Sequence, residues 1–128
     1  MTNTARNRSD DTHAGRPLTA SKLIGDAVVN MDGEKLGKIE DLVIDPLSGH
    51  IDYAVLSFGG FLGMGDKLFA VPIEAMKMSP EERRFILDVD KERLKQAPGF
   101  NKDNWPEPSD RAFGTKVYKY YGYTPRWS

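Results

Sequence analysis

The chain has 128 residues, no cysteine and a formal net charge of −1 at pH 7. This length fits one domain, and the lack of cysteine excludes disulfides, thiolate metal sites and cysteine nucleophiles. A charge so close to zero lacks the strongly basic character of a dedicated nucleic-acid-binding domain. No stretch has the roughly 20 apolar residues of a membrane-spanning helix, and no apolar run near the N-terminus resembles a secretory signal. We therefore expect a soluble, cytoplasmic protein with no membrane span.

Along the chain, the first twenty residues are polar and lack hydrophobic periodicity, which predicts a disordered leader over residues 1–20. Five segments rich in apolar and β-branched residues then predict strands, at residues 23–29, 36–44, 50–58, 67–73 and 84–89. The second of these alternates imperfectly, which predicts a bulge or burial on both faces. Residues 91–96 predict a short helix that Asp90 caps.

Turn chemistry separates the first strands. Gly33 suits the left-handed position of a tight turn that follows Asp32. In the next hairpin, Asp45 is placed to accept hydrogen bonds from backbone N–H groups, and Gly49 again suits a left-handed position. We therefore predict structural turns at Gly33, Asp45 and Gly49.

Five to six short strands at hairpin spacing predict a mainly β fold. We expect a small, highly curved antiparallel β-barrel with a short C-terminal helix and an extended C-terminal tail. A parallel sheet is excluded, because no connection is long enough for a crossover helix. The barrel domain is assigned to residues 21–97, and residues 98–128 to a proline-containing linker and an aromatic, basic tail.

The order and spacing of these features resemble the PRC-barrel family over roughly residues 20–96. The resemblance rests on the Gly25 turn, the Asp32-Gly33 turn, residues 36–41, the hairpin at 45–49, the Tyr53 strand, a glycine-rich loop and the Val71-Pro72 strand end. It implies a barrel like the cytoplasmic domain of the photosynthetic reaction centre H subunit and the C-terminal domain of a ribosome-maturation factor. It further implies a binding and assembly module rather than an enzyme, of the type that stands alone in many small prokaryotic proteins.

Side chains that could carry chemistry are few. The acidic residues near one hairpin lack the regular spacing of a calcium-binding loop, so turn and rim roles are favoured for Glu40, Asp41, Asp45 and Asp52. The two histidines have no partner at the spacing of a zinc site or a catalytic pair. We therefore predict no catalytic residue, no metal site and no cofactor.

The glycine-rich loop at residues 59–66 is one candidate contact surface. It lacks the lysine of a phosphate-binding loop and does not run from a strand into a helix. Either it exposes Phe61, Leu62 and Met64 to a partner, or these side chains fold back to plug the end of the barrel.

The tail beyond residue 110 is the second candidate contact surface. It combines basic residues with Tyr118, Tyr120, Tyr121, Tyr123 and Trp127. Residues 116–123 could form an extra strand on the same barrel or on a second subunit. The same aromatic and basic residues could instead anchor another protein or stack on single-stranded nucleic acid.

Together these features predict a non-catalytic protein-binding or assembly module of the PRC-barrel type. We expect self-association, with a dimer favoured, and a protein partner whose identity the sequence does not indicate. The alternative is a factor that assembles with RNA or the ribosome, which the mildly acidic barrel region argues against.

Overall fold

The computed structural model describes residues 18–58, 67–79, 81–107 and 111–127. These residues form three α-helices, one short 3-10 helix at Ile73–Ala75 and seven strands. The helices are α1 (Ala20–Leu23), α2 (Lys91–Lys95) and α3 (Arg111–Tyr121). The strands are β1 (Ala27–Val29), β2 (Lys35–Ile44), β3 (Ile51–Ser57), β4 (Lys67–Val71), β5 (Met76–Ser79), β6 (Arg84–Leu87) and β7 (Gly99–Asn101).

The strands form one mixed sheet in the order β5-β6-β1-β2-β3-β4-β7. Across the described ranges, β5 and β7 each pair on one side only, so the sheet is open. The predicted mainly β class is confirmed, whereas the closed barrel of five to six strands is wrong. Helices pack on both faces of this sheet, so its apolar residues are buried without closure.

One strand pair is parallel, against the expectation of a purely antiparallel sheet. Strand β1 lies parallel to β6, with Ala27 opposite Arg84 and Val29 opposite Ile86. The prediction considered only connections between successive strands. Four other strands lie between β1 and β6 in the chain, and this path returns the chain to β1 in the same direction.

For the first two strands, one prediction from local sequence is confirmed and one is partly wrong. Strand β2 has the predicted irregularity, because its register with β3 shifts between Ile39 and Asp41. The predicted strand at residues 23–29 is wrong in its first half, where α1 ends at Leu23. Gly25 then adopts a φ of +98°, which turns the chain before β1 begins at Ala27.

The short helix α2 follows its predicted cap. The Oδ1 atom of Asp90 accepts a hydrogen bond from the Arg93 backbone N–H at 2.8 Å. Its one buried residue, Leu94, belongs to the larger apolar cluster, which includes Val28, Leu36 and Phe69. Helix α2 therefore covers one face of the sheet.

The opposite face is covered by α3, which corrects the predicted tail strand at residues 116–123. Val117 and Tyr118 of α3 are buried with Tyr53, Val55 and Leu68 of the sheet. Partly buried positions 113 and 121 complete a spacing of four, one and three residues, which is the period of one helix face. The alternation of tyrosines at 118 and 120 suggested a strand, but only the first of these two side chains is fully buried.

Helix α3 also explains why β3 is buried on both faces between its two partly buried ends. Side chains alternate across a strand, and Ala54 and Leu56 belong to the larger cluster while Tyr53 and Val55 contact α3. The predicted linker beyond residue 97 contains β7, which pairs with β4 from Gly99 to Asn101. Strand β7 and helix α3, both after residue 97, are thus integral parts of the fold.

We predict that Gly37→Ala destabilises the fold more than Gly33→Ala. Both glycines have positive φ, but a Cβ at Gly37 would lie 2.3 Å from the Ser57 carbonyl oxygen, whereas nothing lies within 4 Å of one at Gly33. Left-handed backbone strain alone costs about 1 to 2 kcal/mol, and the clash at Gly37 adds about 1 to 3 kcal/mol. Urea unfolding of the two variants measures the difference, and equal losses would contradict the close approach of β2 and β3.

Candidate partner-binding surface

A cluster of four charged side chains fastens the C-terminal segment to the hairpin between β2 and β3. We call Asp45, Asp52, Arg111 and Arg126 the anchor cluster. Arg111 donates to Asp52 Oδ2 at 2.8 Å, and Arg126 donates to Asp52 Oδ1 at 2.7 Å. Both arginines also donate to Asp45 Oδ2 at 3.1 Å. One arginine begins α3 and the other follows it, so the cluster holds both ends of the segment.

The cluster balances two negative charges with two positive charges. The Asp52 side chain is only 5% exposed, and each of its oxygens accepts from a different guanidinium. Burying a carboxylate is costly unless it is paired and hydrogen-bonded, and Asp52 meets both conditions. Its position in β3 therefore depends on the C-terminal segment.

Asp45 is held in its ionised form by the turn itself. The Leu47 backbone N–H and the Ser48 hydroxyl donate to its two oxygens, and Arg111 adds a favourable charge. These contacts lower the pKa of Asp45 from 3.8 to about 2. Gly49 completes this turn with a φ of +79°, and Gly33 has a φ of +81° in the turn between β1 and β2.

The anchor arginines also enclose Trp127. The guanidinium of Arg111 lies 4.4 Å from the indole centroid, and that of Arg126 lies 5.4 Å from it. The indole N–H donates to Thr115 Oγ1 at 3.1 Å, and the ring packs edge-on against Tyr118 at 5.2 Å. Trp127 therefore packs on its own chain.

Two tyrosines of α3 are removed from solvent to different extents: Tyr118 is fully buried and Tyr121 is partly buried. The Tyr118 hydroxyl lies 2.6 Å from the Asp52 carbonyl oxygen and 3.0 Å from Glu74 Oε1. Burial, together with the Glu74 carboxylate, raises the pKa of Tyr118 well above its ordinary value. Burial likewise raises the pKa of Tyr121, so both hydroxyls stay protonated at neutral pH.

The outer face of α3 forms one wall of a groove of about 500 Å³. Lys116, Lys119 and Tyr120 line this wall, and residues 96–99 line the other. The Tyr120 ring is held in place by Arg93, whose guanidinium lies 4.7 Å from the ring centroid and donates to the Tyr120 carbonyl at 2.6 Å. The groove thus has one charged helical wall and one wall of main chain that leads into β7.

The predicted contact residues fall into three groups. Phe61, Leu62 and Met64 lie outside the described residues. Tyr118, Tyr121 and Trp127 pack against the sheet or the anchor arginines, as described above. Tyr120 lines the groove, and Tyr123 is 41% exposed beyond the end of α3.

The acidic residues near the hairpin do not converge on a cation position. Asp41 accepts from the Leu42 backbone N–H at 2.8 Å, while Asp45 and Asp52 belong to the anchor cluster. No group of three or more potential metal-ligating side chains occurs in the part of the chain that the structure describes.

The sequence did not distinguish the two arginines, which pair with carboxylates, from the two lysines, which line the groove. Their basic, acid-free segment was visible, but the carboxylates that bind Arg111 lie 59 and 66 residues earlier in the chain. No local spacing signals such a contact.

A family model for the PRC-barrel domain matches residues 18–94, which is more than half of the 128-residue chain. The chain belongs to the PRC-barrel domain family. The match contains β1 to β6 and both anchor carboxylates, and it ends within α2. Strand β7, helix α3 and every residue of the groove lie beyond the matched PRC-barrel segment.

Comparison of this PRC-barrel chain with curated proteins gives no significant match. Among its described helices, none is long and apolar enough to cross a membrane.

We predict that Arg126→Met weakens the whole fold, because it leaves Asp52 with one guanidinium instead of two. Removing a partner from a fully buried ion pair costs about 3 to 5 kcal/mol, whereas an exposed pair contributes at most about 1 kcal/mol. Arg126 is partly exposed, so in urea unfolding we expect a loss between these two limits and larger than that of an exposed pair. The control is Lys95→Met, whose partner Glu92 is mostly exposed. Equal losses would contradict the anchoring role.

We also predict that acid loosens the C-terminal segment through Asp45. Its pKa is lower in the folded chain than the ordinary 3.8, so its stabilisation is present above about pH 4 and is lost as pH falls towards 2. Melting temperature followed over this range should fall less steeply in Asp45→Asn than in the wild type. In a Trp105→Phe background, the fluorescence of Trp127 reports the same change locally. Identical acid profiles would refute the prediction.

Proposed function

We propose that this chain is a non-catalytic protein-binding and assembly module that pairs with a second copy of itself. The observation that carries the proposal is the open sheet, in which β5 and β7 each have one strand neighbour among the described residues. The outward N–H and C=O groups of an edge strand are a template for pairing with another chain.

The lowered pKa of Asp45 and the hydrogen bonds within the anchor cluster support a non-catalytic role. A general acid at neutral pH needs a carboxyl with a raised pKa. The pKa of Asp45 is lowered instead, and its oxygens are already engaged by the turn and by the anchor arginines. The cluster is therefore suited to fastening the tail rather than to proton transfer.

Packing of Tyr118, Tyr121 and Trp127 on their own chain argues against the nucleic-acid alternative. Binding single strands without sequence preference relies on aromatic faces that are free to stack on bases. Tyr118 is buried, and Trp127 is flanked by the guanidinium groups of Arg111 and Arg126. A protein partner needs no free aromatic stack and fits the exposed edges better.

Self-pairing fits β5 better than β7. Lys77 is the one charged residue within β5, and acidic residues precede and follow the strand, so this edge carries both signs of charge. The edge at β7 lies beside two lysines of α3, and two copies meeting there would bring like charges together. We therefore assign the dimer contact to β5.

Sedimentation over a concentration series tests this assignment. We expect a monomer–dimer equilibrium, with amides of β5 gaining protection from hydrogen exchange as the dimer forms. Lys77→Glu makes the edge uniformly acidic and should raise the dimer dissociation constant about tenfold. Lys35→Glu makes the same charge change on β2, in the sheet interior, and should leave the constant unchanged. A chain that stays monomeric at every concentration would overturn self-association.

A further inference from the structure

We infer that the groove between residues 96–99 and α3 binds an extended acidic segment of a partner protein, which adds to β7 as a further strand. The inference rests on the proposed function of protein binding and specifies the partner class. It concerns the edge opposite β5, so partner binding and self-pairing use different surfaces.

The main-chain wall of the groove offers unpaired hydrogen-bonding groups. The backbone N–H of Ala70 donates to the Pro98 carbonyl at 3.4 Å, and β7 continues antiparallel to β4 with Phe69 opposite Gly99. Inward and outward peptide groups alternate along an antiparallel edge. Since Pro98 faces β4, the N–H and C=O of Gly99 point away from it, towards the free edge.

The helical wall supplies positive charge that nothing in the described structure neutralises. Lys116 and Lys119 lie three positions apart on α3, so they share one face. Neither has a carboxylate partner among the described residues, and no acidic side chain lines the groove. The other two cations of this segment, Arg111 and Arg126, are both paired in the anchor cluster. The arginines therefore hold the segment in place, and the lysines remain available to a ligand.

The spacing of the two walls suits a strand that carries carboxylates on alternate residues. Residues two apart on a strand are separated by about 6.6 Å, and the Cβ atoms of residues three apart on a helix by about 5 to 6 Å. Carboxylates at positions i and i+2 can therefore each reach one lysine, while the intervening peptide groups pair with Gly99. The stacked Tyr120 ring, held by Arg93, gives the groove a rigid end.

Labelled peptides test the inference by fluorescence anisotropy. The main probe is a fluorescein-labelled peptide of alternating glutamate and valine. Three comparison probes separate the contributions: the same peptide N-methylated at alternate residues, a lysine–valine peptide, and an oligouridine strand. We expect the acidic peptide to bind at least tenfold more tightly than each of the other three.

Charge-reversal variants locate the site. Lys116→Glu combined with Lys119→Glu should weaken binding of the acidic peptide at least tenfold. Lys35→Glu combined with Lys38→Glu makes the same total charge change on β2 and should change binding less than twofold. The amide signal of Gly99 should shift on peptide addition in the wild type.

Each contrary outcome overturns a defined part of the inference. Equal binding of the N-methylated peptide would exclude strand addition, and stronger binding of oligouridine would identify nucleic acid as the ligand. Unchanged binding in the variant at positions 116 and 119 would exclude the groove. If no peptide binds while the dimer at β5 forms, the inference fails and the proposed function stands. If the dimer does not form but the acidic peptide binds as expected, the inference stands and self-association fails.

Discussion

The carboxylate of Asp52 is the point on which the C-terminal half of this structure depends. A carboxylate near the start of a strand that is buried on both faces is tolerated because Arg111 and Arg126 each donate to one of its oxygens. Those two arginines flank α3, so neutralising Asp52 also positions the helix. The helix in turn buries one face of β3 and β4 and leaves its lysines pointing outward. The pairing of the buried Asp52 carboxylate thus determines which face of α3 points outward.

The arrangement separates paired, inward-facing cations from outward-facing cations within a short segment. Arginine has a planar fork that binds carboxylates through two or more directed hydrogen bonds, and its face packs well on aromatic rings. Arg111 and Arg126 use both properties, on the aspartates and on Trp127. Lysine is a mobile, strongly hydrated charge and suits an exposed contact that forms and breaks. The division of the four cations into two inward arginines and two outward lysines follows these properties.

The open sheet also leaves part of the structure exposed, namely the outer sides of its edge strands. A closed barrel would have no free edges, whereas the sheet formed by the described residues has two, at β5 and β7. The edges differ in their surroundings: β5 carries mixed charge, and β7 borders a positively charged helix. Trp105, which is 42% exposed and packs 4.9 Å from Phe100 of β7, adds an aromatic surface to the second edge. The two edges therefore differ in charge and in aromatic surroundings.

The order and spacing of features over residues 20–96 indicated the PRC-barrel family. The local features were predictable from sequence: the turns at Gly33 and at 45–49, the strand β2 with its bulge, and the cap of α2 by Asp90. Each of these depends on the conformational preferences of neighbouring residues, which are written within a few positions of chain. Tertiary structure alone decided the parallel pairing of β1 with β6, the open sheet, the helical state of the tail and the contact between Asp52 and its arginines. The parallel pair and the contacts of Asp52 join residues more than 50 positions apart. Burial against the sheet, rather than local alternation, selected the helix at residues 111–121. The groove exists only because that helix packs beside β7, so no segment of the sequence could reveal it.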